Sequence, residues 1–238
     1  MLWKWGDYTL LQENSMTDTT ANPENVQEFS FKAETKQLLD ILIHSLYKDR
    51  EVFLRELLSN ASDALNRLRF EMVTNRHVVD PEAELKIQIT ANKDARTLTI
   101  YDTGIGMTRD EVIENLGTIA QSGARKFIEA TKDKKVDFSQ VIGQFGVGFY
   151  SVFMVAEWVR VTSRSHKPEA EAVTWYATGE DNYQVSAAQM SERGTKVEIK
   201  LKEDAAEFAE EYRIKNIIHK HSDYIGFPIY VGESKEPV

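Results

Sequence analysis

Apolar residues recur along this chain with two different periods, and the switches between them mark out its elements. Phe29 and Phe31 alternate with polar neighbours in EFSF, which predicts a short strand. From Thr35 to Tyr47, Leu38, Leu39, Ile41, Leu42 and Leu46 recur at helical spacing. A longer helix is predicted from Glu51 to Phe70, with Phe53, Leu57, Ala61, Ala64, Leu65 and Leu68 on one stripe. LKIQIT and RTLTIYD then alternate with period two around NKDA, the pattern of an antiparallel hairpin. Thr108 and Glu111 make a capping-box pair, so a helix is expected to begin there.

Residues 117–142 break the regularity. GTIAQSG, a helical ARKFIEATKD and a charged KDKKVDF have the composition of a mobile excursion rather than of a core element. FGVGFYS then opens what reads as a short helix, and WVRVTS, AVTWYA, YQVSA and TKVEIKL read as strands. EDAAEFAEE and IKNIIHKHS read as helical. This order predicts an α+β fold, a sandwich with helices on one face of a mainly antiparallel sheet. One domain over residues 28–238 is the simplest division, behind a flexible arm at 1–27. Within that arm, Met16 opens a polar stretch. Either Met16 is the true start, or residues 1–15 form an arm whose Trp3, Trp5 and Tyr8 need burial across the excursion.

Composition narrows the function. With 238 residues the chain is long enough for a sizeable core. A formal net charge of -9 repels phosphate backbones, which argues against general nucleic-acid binding. A polyphosphate ligand would have to be held by backbone amides, local dipoles or a metal. The chain has no cysteine, so disulfides and thiolate metal sites are excluded. Apolar runs are too short to cross a bilayer, and charges and Gly6 interrupt the start of the chain as a secretory signal.

The polar positions carry the chemistry. At roughly 100° per residue, Glu56, Asn60, Asp63 and Arg67 fall on one stripe beside the apolar face of their helix, with Arg55, Ser62 and Asn66 on the solvated side. Alone, that stripe is an ordinary helix charge ladder. At a cleft, Glu56 is suited to accept a proton from an attacking water. Asn60 offers a neutral oxygen to Mg²⁺, which keeps most of its other ligands as water and phosphate. Asp102 ends a strand whose Leu98 and Ile100 point to the core. Its carboxylate suits the exocyclic amino group of adenine and disfavours guanine, which has a carbonyl there. Gly104 and Gly106 allow close backbone approach, and Met107 offers an adaptable apolar wall. Gly143, Gly146 and Gly148 in IGQFGVGFYS expose successive N–H groups at a helix start, a setting for phosphate. This is neither a Walker A loop nor a dinucleotide fingerprint. Ser151 lacks a nucleophile elbow, and His219 and His221 are expected at the surface. Trp158 and Trp175 are expected in core or rim packing.

Taken in order, EVFLRELLSNASDAL, DTGIGMT, NLGTIAQSG and IGQFGVGFYS resemble the N-terminal ATP-binding domain of the heat-shock protein 90 family of chaperones, in its bacterial form, over about residues 28–232. The same ATP-binding fold occurs in DNA gyrase, MutL and sensor histidine kinases, and QFGVGFYS is the chaperone version of the third motif. The resemblance implies a two-layer α/β sandwich that binds ATP or ADP with Mg²⁺ beneath a lid at about 117–148. It casts Glu56 as the residue that orients the attacking water, with Asn60 helping to bind Mg²⁺. Asp102 becomes the direct adenine contact, helped by Thr195. It adds Asp63, Gly106, Met107, Asn115, Gly123 and Phe149 to the nucleotide site, and Gln144, Phe145, Gly146, Val147 and Gly148 as the loop around the terminal phosphate. It further implies a cytoplasmic stress-response ATPase with client proteins, dimeric at full length and monomeric as this domain alone.

Two departures matter. Gln121 stands where the family usually has Lys or Arg, with Arg125 near enough to compensate. The chain also stops at Val238, before the family's middle domain with its catalytic arginine and the C-terminal dimerisation domain. Nucleotide binding with very slow hydrolysis is therefore expected. A nucleotide-regulated scaffold without hydrolysis, and a gyrase- or kinase-type relative, remain the alternatives.

Overall fold

The computed structural model describes residues 26–44, 50–75, 77–117, 126–129, 142 and 146–238. Eight strands form one sheet in the order β1-β6-β5-β4-β7-β3-β2-β8. They are β1 (Gln27–Ser30), β2 (Ile87–Asn92), β3 (Thr97–Asp102), β4 (Ala156–Arg164), β5 (Ala172–Ala177), β6 (Asn182–Ala188), β7 (Gly194–Leu201) and β8 (Ile229–Val231). Neighbours run antiparallel except for β2 and β8. One face carries the helices α1 (Ala33–His44), α2 (Val52–Thr74), α3 (Arg109–Gly117) and α4 (Glu211–His221). The predicted α+β sandwich is the one observed.

The core lies between α1, α2 and the sheet. Leu38, Leu39 and Leu42 of α1 are buried with Phe53, Leu57, Leu58, Ala61, Leu65 and Leu68 of α2. Opposite them, Leu98 and Ile100 of β3 and Val197, Ile199 and Leu201 of β7 hold the inward phase of their strands. That alternation is why a polar residue in the same phase, such as Asp102, is carried to the edge of the core rather than to solvent.

Several local expectations change. α2 runs on past Phe70 to Thr74, with Phe70 and Val73 exposed, so no apolar stripe marked its last turn. EDAAEFAEE gives a 3₁₀ segment (Glu203–Ala209) rather than an α-helix; its buried Ala205 and Phe208 are three apart, the 3₁₀ repeat. Phe127, Ile128 and Ile142, in the excursion predicted to stay out of the core, are buried.

His221 is a further correction. His219 is exposed, its Nδ1 3.9 Å from Asp223. His221 is half-buried, and its Nε2 lies 3.1 Å from Oε2 of Glu51, the residue preceding α2. Arg213 and Lys220 donate to the same carboxylate at 2.6 and 3.0 Å. Burial pushes the Glu51 carboxyl up, but the hydrogen bonds from Lys220, His221 and Arg213 outweigh it and hold its pKa at about 2, below the usual 4.5. This clamp fixes the start of α2 to α4. Its stabilisation is fully present above the unfolded pKa and fades as pH falls toward the folded one. Glu51→Gln should therefore cost about 1–3 kcal/mol at neutral pH. In urea unfolding, the gap from wild type should close between pH 4.5 and about 2. A gap that stayed constant over that range would deny the clamp its role.

Candidate functional site

β3, β7 and β4 present two adjoining cross-strand rows to the helix layer. Ile100, Val197 and Val161 form an apolar row, and Asp102, Thr195 and Ser163 form the polar row beside it. A recess of about 660 Å³ opens over them, walled by α2, the turn after β3, α3 and the glycine loop. A recess of about 720 Å³ between β1, α1 and the β5–β6 turn is slightly larger, but none of the sequence motifs converges there.

Asp102 sits at the floor, 6% exposed. Burial lifts its carboxyl from 3.8 to about 7, against the pull of the backbone N–H groups of Gly104 and Thr195. The Gly104 N–H donates to its Oδ1 at 2.9 Å. A side chain at Gly104 would run into that oxygen and into the Ala64 backbone of α2, and the Ile105 N–H donates to the Ala64 carbonyl at 3.1 Å. The turn is thus pressed onto α2, as its glycines require. Gly106 has φ +62° and packs against the Arg164 carbonyl where a Cβ would stand.

On α2, Glu56, Asn60, Asp63 and Arg67 all line the recess, so the predicted stripe is the cavity wall. Arg55 is not a solvated outer residue. It is half-buried, and its Nη2 and Nε donate to Glu56 Oε1 at 2.8 and 3.2 Å. The other carboxylate oxygen, Oε2, faces Gly148 so closely that a methyl group there would overlap it. The glycine loop therefore sits directly against the free edge of Glu56.

Gly146, Gly148 and Phe149 line the recess, as do Met107, Asn115 and Thr195. The side chain of Val147 is instead buried in the core, leaving only its backbone for a ligand. Gly123, Gln144 and Phe145, with Gly143, Gln121 and Arg125, lie outside the described residues. Gly148–Met154 forms a 3₁₀ segment, and Ser151 is spent within it, its Oγ donating to the Gly148 carbonyl at 2.6 Å. Phe149 packs edge-on against the fully buried Trp175, with ring centroids 5.6 Å apart. Trp158 lies under the Arg160 guanidinium on another part of the sheet.

His166, which lines the recess, and Ser163, buried behind the lining, escaped the sequence reading. His166 reaches the recess because its backbone N–H donates to the Ile105 carbonyl at 2.8 Å, a contact without local signature. Ser163 is fully buried beneath the Met107–Thr195 side. Its signal was visible, as a serine in phase with Val159 and Val161, and its importance depends on register.

A buried carboxylate on a glycine turn, a carboxylate–amide helix and a glycine loop thus converge on one recess over the sheet. A family model described as "Histidine kinase-, DNA gyrase B-, and HSP90-like ATPase" matches residues 47–213, and the chain belongs to that family. Within it, the chain is similar to Chaperone protein HtpG. It is 48% identical to that of Chlorobium chlorochromatii (strain CaD3) over 220 residues, 92% of this chain and 35% of the relative. It is 48% identical to that of Desulfitobacterium hafniense (strain Y51) over 212 residues, 88% of this chain and 34% of the relative. With that of Escherichia coli O1:K1 / APEC it shares 47% over 208 residues, 87% of this chain and 33% of the relative. The chain thus spans about a third of the length of these relatives, corresponding to their N-terminal domain. These relatives all carry the chaperone name.

Proposed function

We propose that this chain binds ATP and ADP in the recess over Asp102 and Thr195, and hydrolyses ATP slowly as the nucleotide-driven module of a chaperone. The convergence of Asp102, Thr195, Glu56, Asn60, Gly146 and Gly148 on one cavity supports this reading above all. Asp102 accepts from the base. Phe149, Met107 and the apolar row flank it. Asn115 and Asp63 lie by the sugar and phosphates. The loop from Gln144 to Gly148 encloses the terminal phosphate through backbone N–H groups. Glu56 Oε2 faces that loop and orients the attacking water. Among the described residues no three carboxylates or imidazoles converge. An Mg²⁺ ion fits this donor set as one held by the Asn60 oxygen and phosphate, where it would neutralise phosphate charge. Residues 28–238 act as one domain, and 117–148 serve as the lid. At full length, nucleotide drives lid closure and N-terminal dimerisation of a cytoplasmic stress-response chaperone acting on client proteins, and this domain alone is monomeric. Among the described residues no helix is long and apolar enough to cross a membrane.

Calorimetric titration of ADP, ATP and GTP with Mg²⁺ tests the reading. Selective adenine-nucleotide binding is expected, and a folded chain that takes up none of them would end it. The raised Asp102 carboxyl adds a pH signature. Accepting from the base requires the ionised form, so ADP affinity should rise with pH and level off above about 7. Below that value it should fall about tenfold per pH unit. Binding at pH 6.5 should release a proton, measured in buffers of different ionisation enthalpy after subtracting ADP's own titration. A flat profile between pH 6 and 8 would remove Asp102 from the contact.

A further inference from the structure

Ser163 carries three contacts inside the site. It accepts from the Met107 N–H at 2.9 Å, lies 3.0 Å from the Gly194 carbonyl, and lies 2.9 Å from Thr195 Oγ1. A serine hydroxyl has one proton and two lone pairs. The Gly194 carbonyl can only accept, so it takes the proton. Met107 fills one lone pair. The remaining lone pair faces Thr195 Oγ1, which must therefore donate. Any other assignment sets two acceptors against each other at 3.0 Å.

Thr195 lines the recess as the cross-strand neighbour of Asp102. With its proton committed to Ser163, it presents only lone pairs to whatever lies there. We propose that Ser163 fixes Thr195 as an acceptor and so makes the recess selective for a purine with an exocyclic amine over one with a carbonyl at that position. The inference rests on the nucleotide reading above and assigns the discrimination to a residue that need not touch ligand. Asp102 disfavours a carbonyl at the position of the adenine amine, but a 6-oxopurine that shifts to offer its N1–H escapes that discrimination, because an ionised carboxylate accepts from either group. Thr195 adds a second acceptor beside it. An amine has two N–H groups to share between them, whereas a carbonyl oxygen meets the Thr195 lone pair and is repelled.

Ser163 is a positioning residue, and its mark is a ratio. ADP and IDP are titrated calorimetrically into wild type, Ser163→Ala, Ser163→Thr and Thr195→Val. Wild type should favour ADP by about 100-fold or more. Ser163→Ala frees the Thr195 hydroxyl to turn and donate, and the ADP/IDP ratio should fall about tenfold. Ser163→Thr keeps the hydroxyl and should restore the ratio. A purely structural role would weaken both nucleotides equally, and an unchanged ratio in Ser163→Ala overturns the inference. If that variant does not fold, Thr195→Val decides. It leaves the Ser163 bonds to Met107 and Gly194 intact, and should weaken ADP but not IDP; equal loss of both overturns the inference. Failure of the folded wild type to bind either nucleotide removes the nucleotide reading and this inference with it. ADP binding with an unchanged ratio removes the inference alone.

Discussion

Asp102→Asn should weaken ADP binding by about 100-fold or more while leaving the fold intact. The reason lies in how the carboxylate is already used. The Gly104 N–H donates to Oδ1 at 2.9 Å, and the Thr195 N–H draws on the same group. An asparagine must turn its one oxygen toward those donors. Its amide NH₂ then faces the amine of the base, donor against donor. Stability should move the other way. The folded-state pKa of Asp102 is raised from 3.8 to about 7, so its ionisation costs the fold stability as pH rises through that interval. Asparagine never ionises. The variant should gain melting temperature relative to wild type from pH 4 upward, with the difference levelling off above about 7. Calorimetric titration and thermal unfolding across pH measure the two halves separately. A variant that binds ADP normally would place the base elsewhere. One that simply unfolds would make Asp102 structural.

Glu56→Ala should reduce hydrolysis by about 10²–10⁴-fold, with nucleotide affinity changed little. The test belongs in a protein of the full length of the HtpG relatives, of which this chain spans about a third, because slow turnover is expected from this chain alone. The structure sharpens the expectation. Oε1 of Glu56 is taken up by Arg55, and only Oε2 is turned toward Gly148. The carboxylate therefore has one working edge, aimed at the loop assigned to the terminal phosphate. Single-turnover hydrolysis with a separate binding measurement distinguishes the two roles. Loss of rate with retained affinity supports the enzyme, and an unchanged rate favours the scaffold without hydrolysis.

The residues that the sequence identified are those whose position follows from local phase. Asp102 is in register with Leu98 and Ile100 along one strand, so its inward placement needed no tertiary information. Glu56, Asn60 and Asp63 follow from helical spacing beside an apolar stripe. The Thr108–Glu111 capping box is observed, the Thr108 N–H donating to Glu111 Oε2 at 2.7 Å. The misreadings share a different cause. A helical wheel fixes where Cβ points, not where a long side chain ends, and Arg55 bends back to its neighbour. His221 is held by Glu51, 170 residues earlier. Ser163 and His166 enter the site through cross-strand register and a loop contact. β8 went unread because three residues pairing parallel with β2 leave no periodic trace. Val147 fell inside the stretch read as a glycine loop, yet its side chain serves the core.

The order of the strands has one further consequence. A sheet of eight strands is a large template for unwanted growth, since each free edge offers unpaired N–H and C=O groups to any passing strand. Among the described residues both flanks are stubs: β1 has four residues, three of them the polar Gln27, Glu28 and Ser30, and β8 has three. The long, apolar strands are all interior. Among the described residues the domain thus exposes little edge on which another chain could assemble into cross-β aggregates.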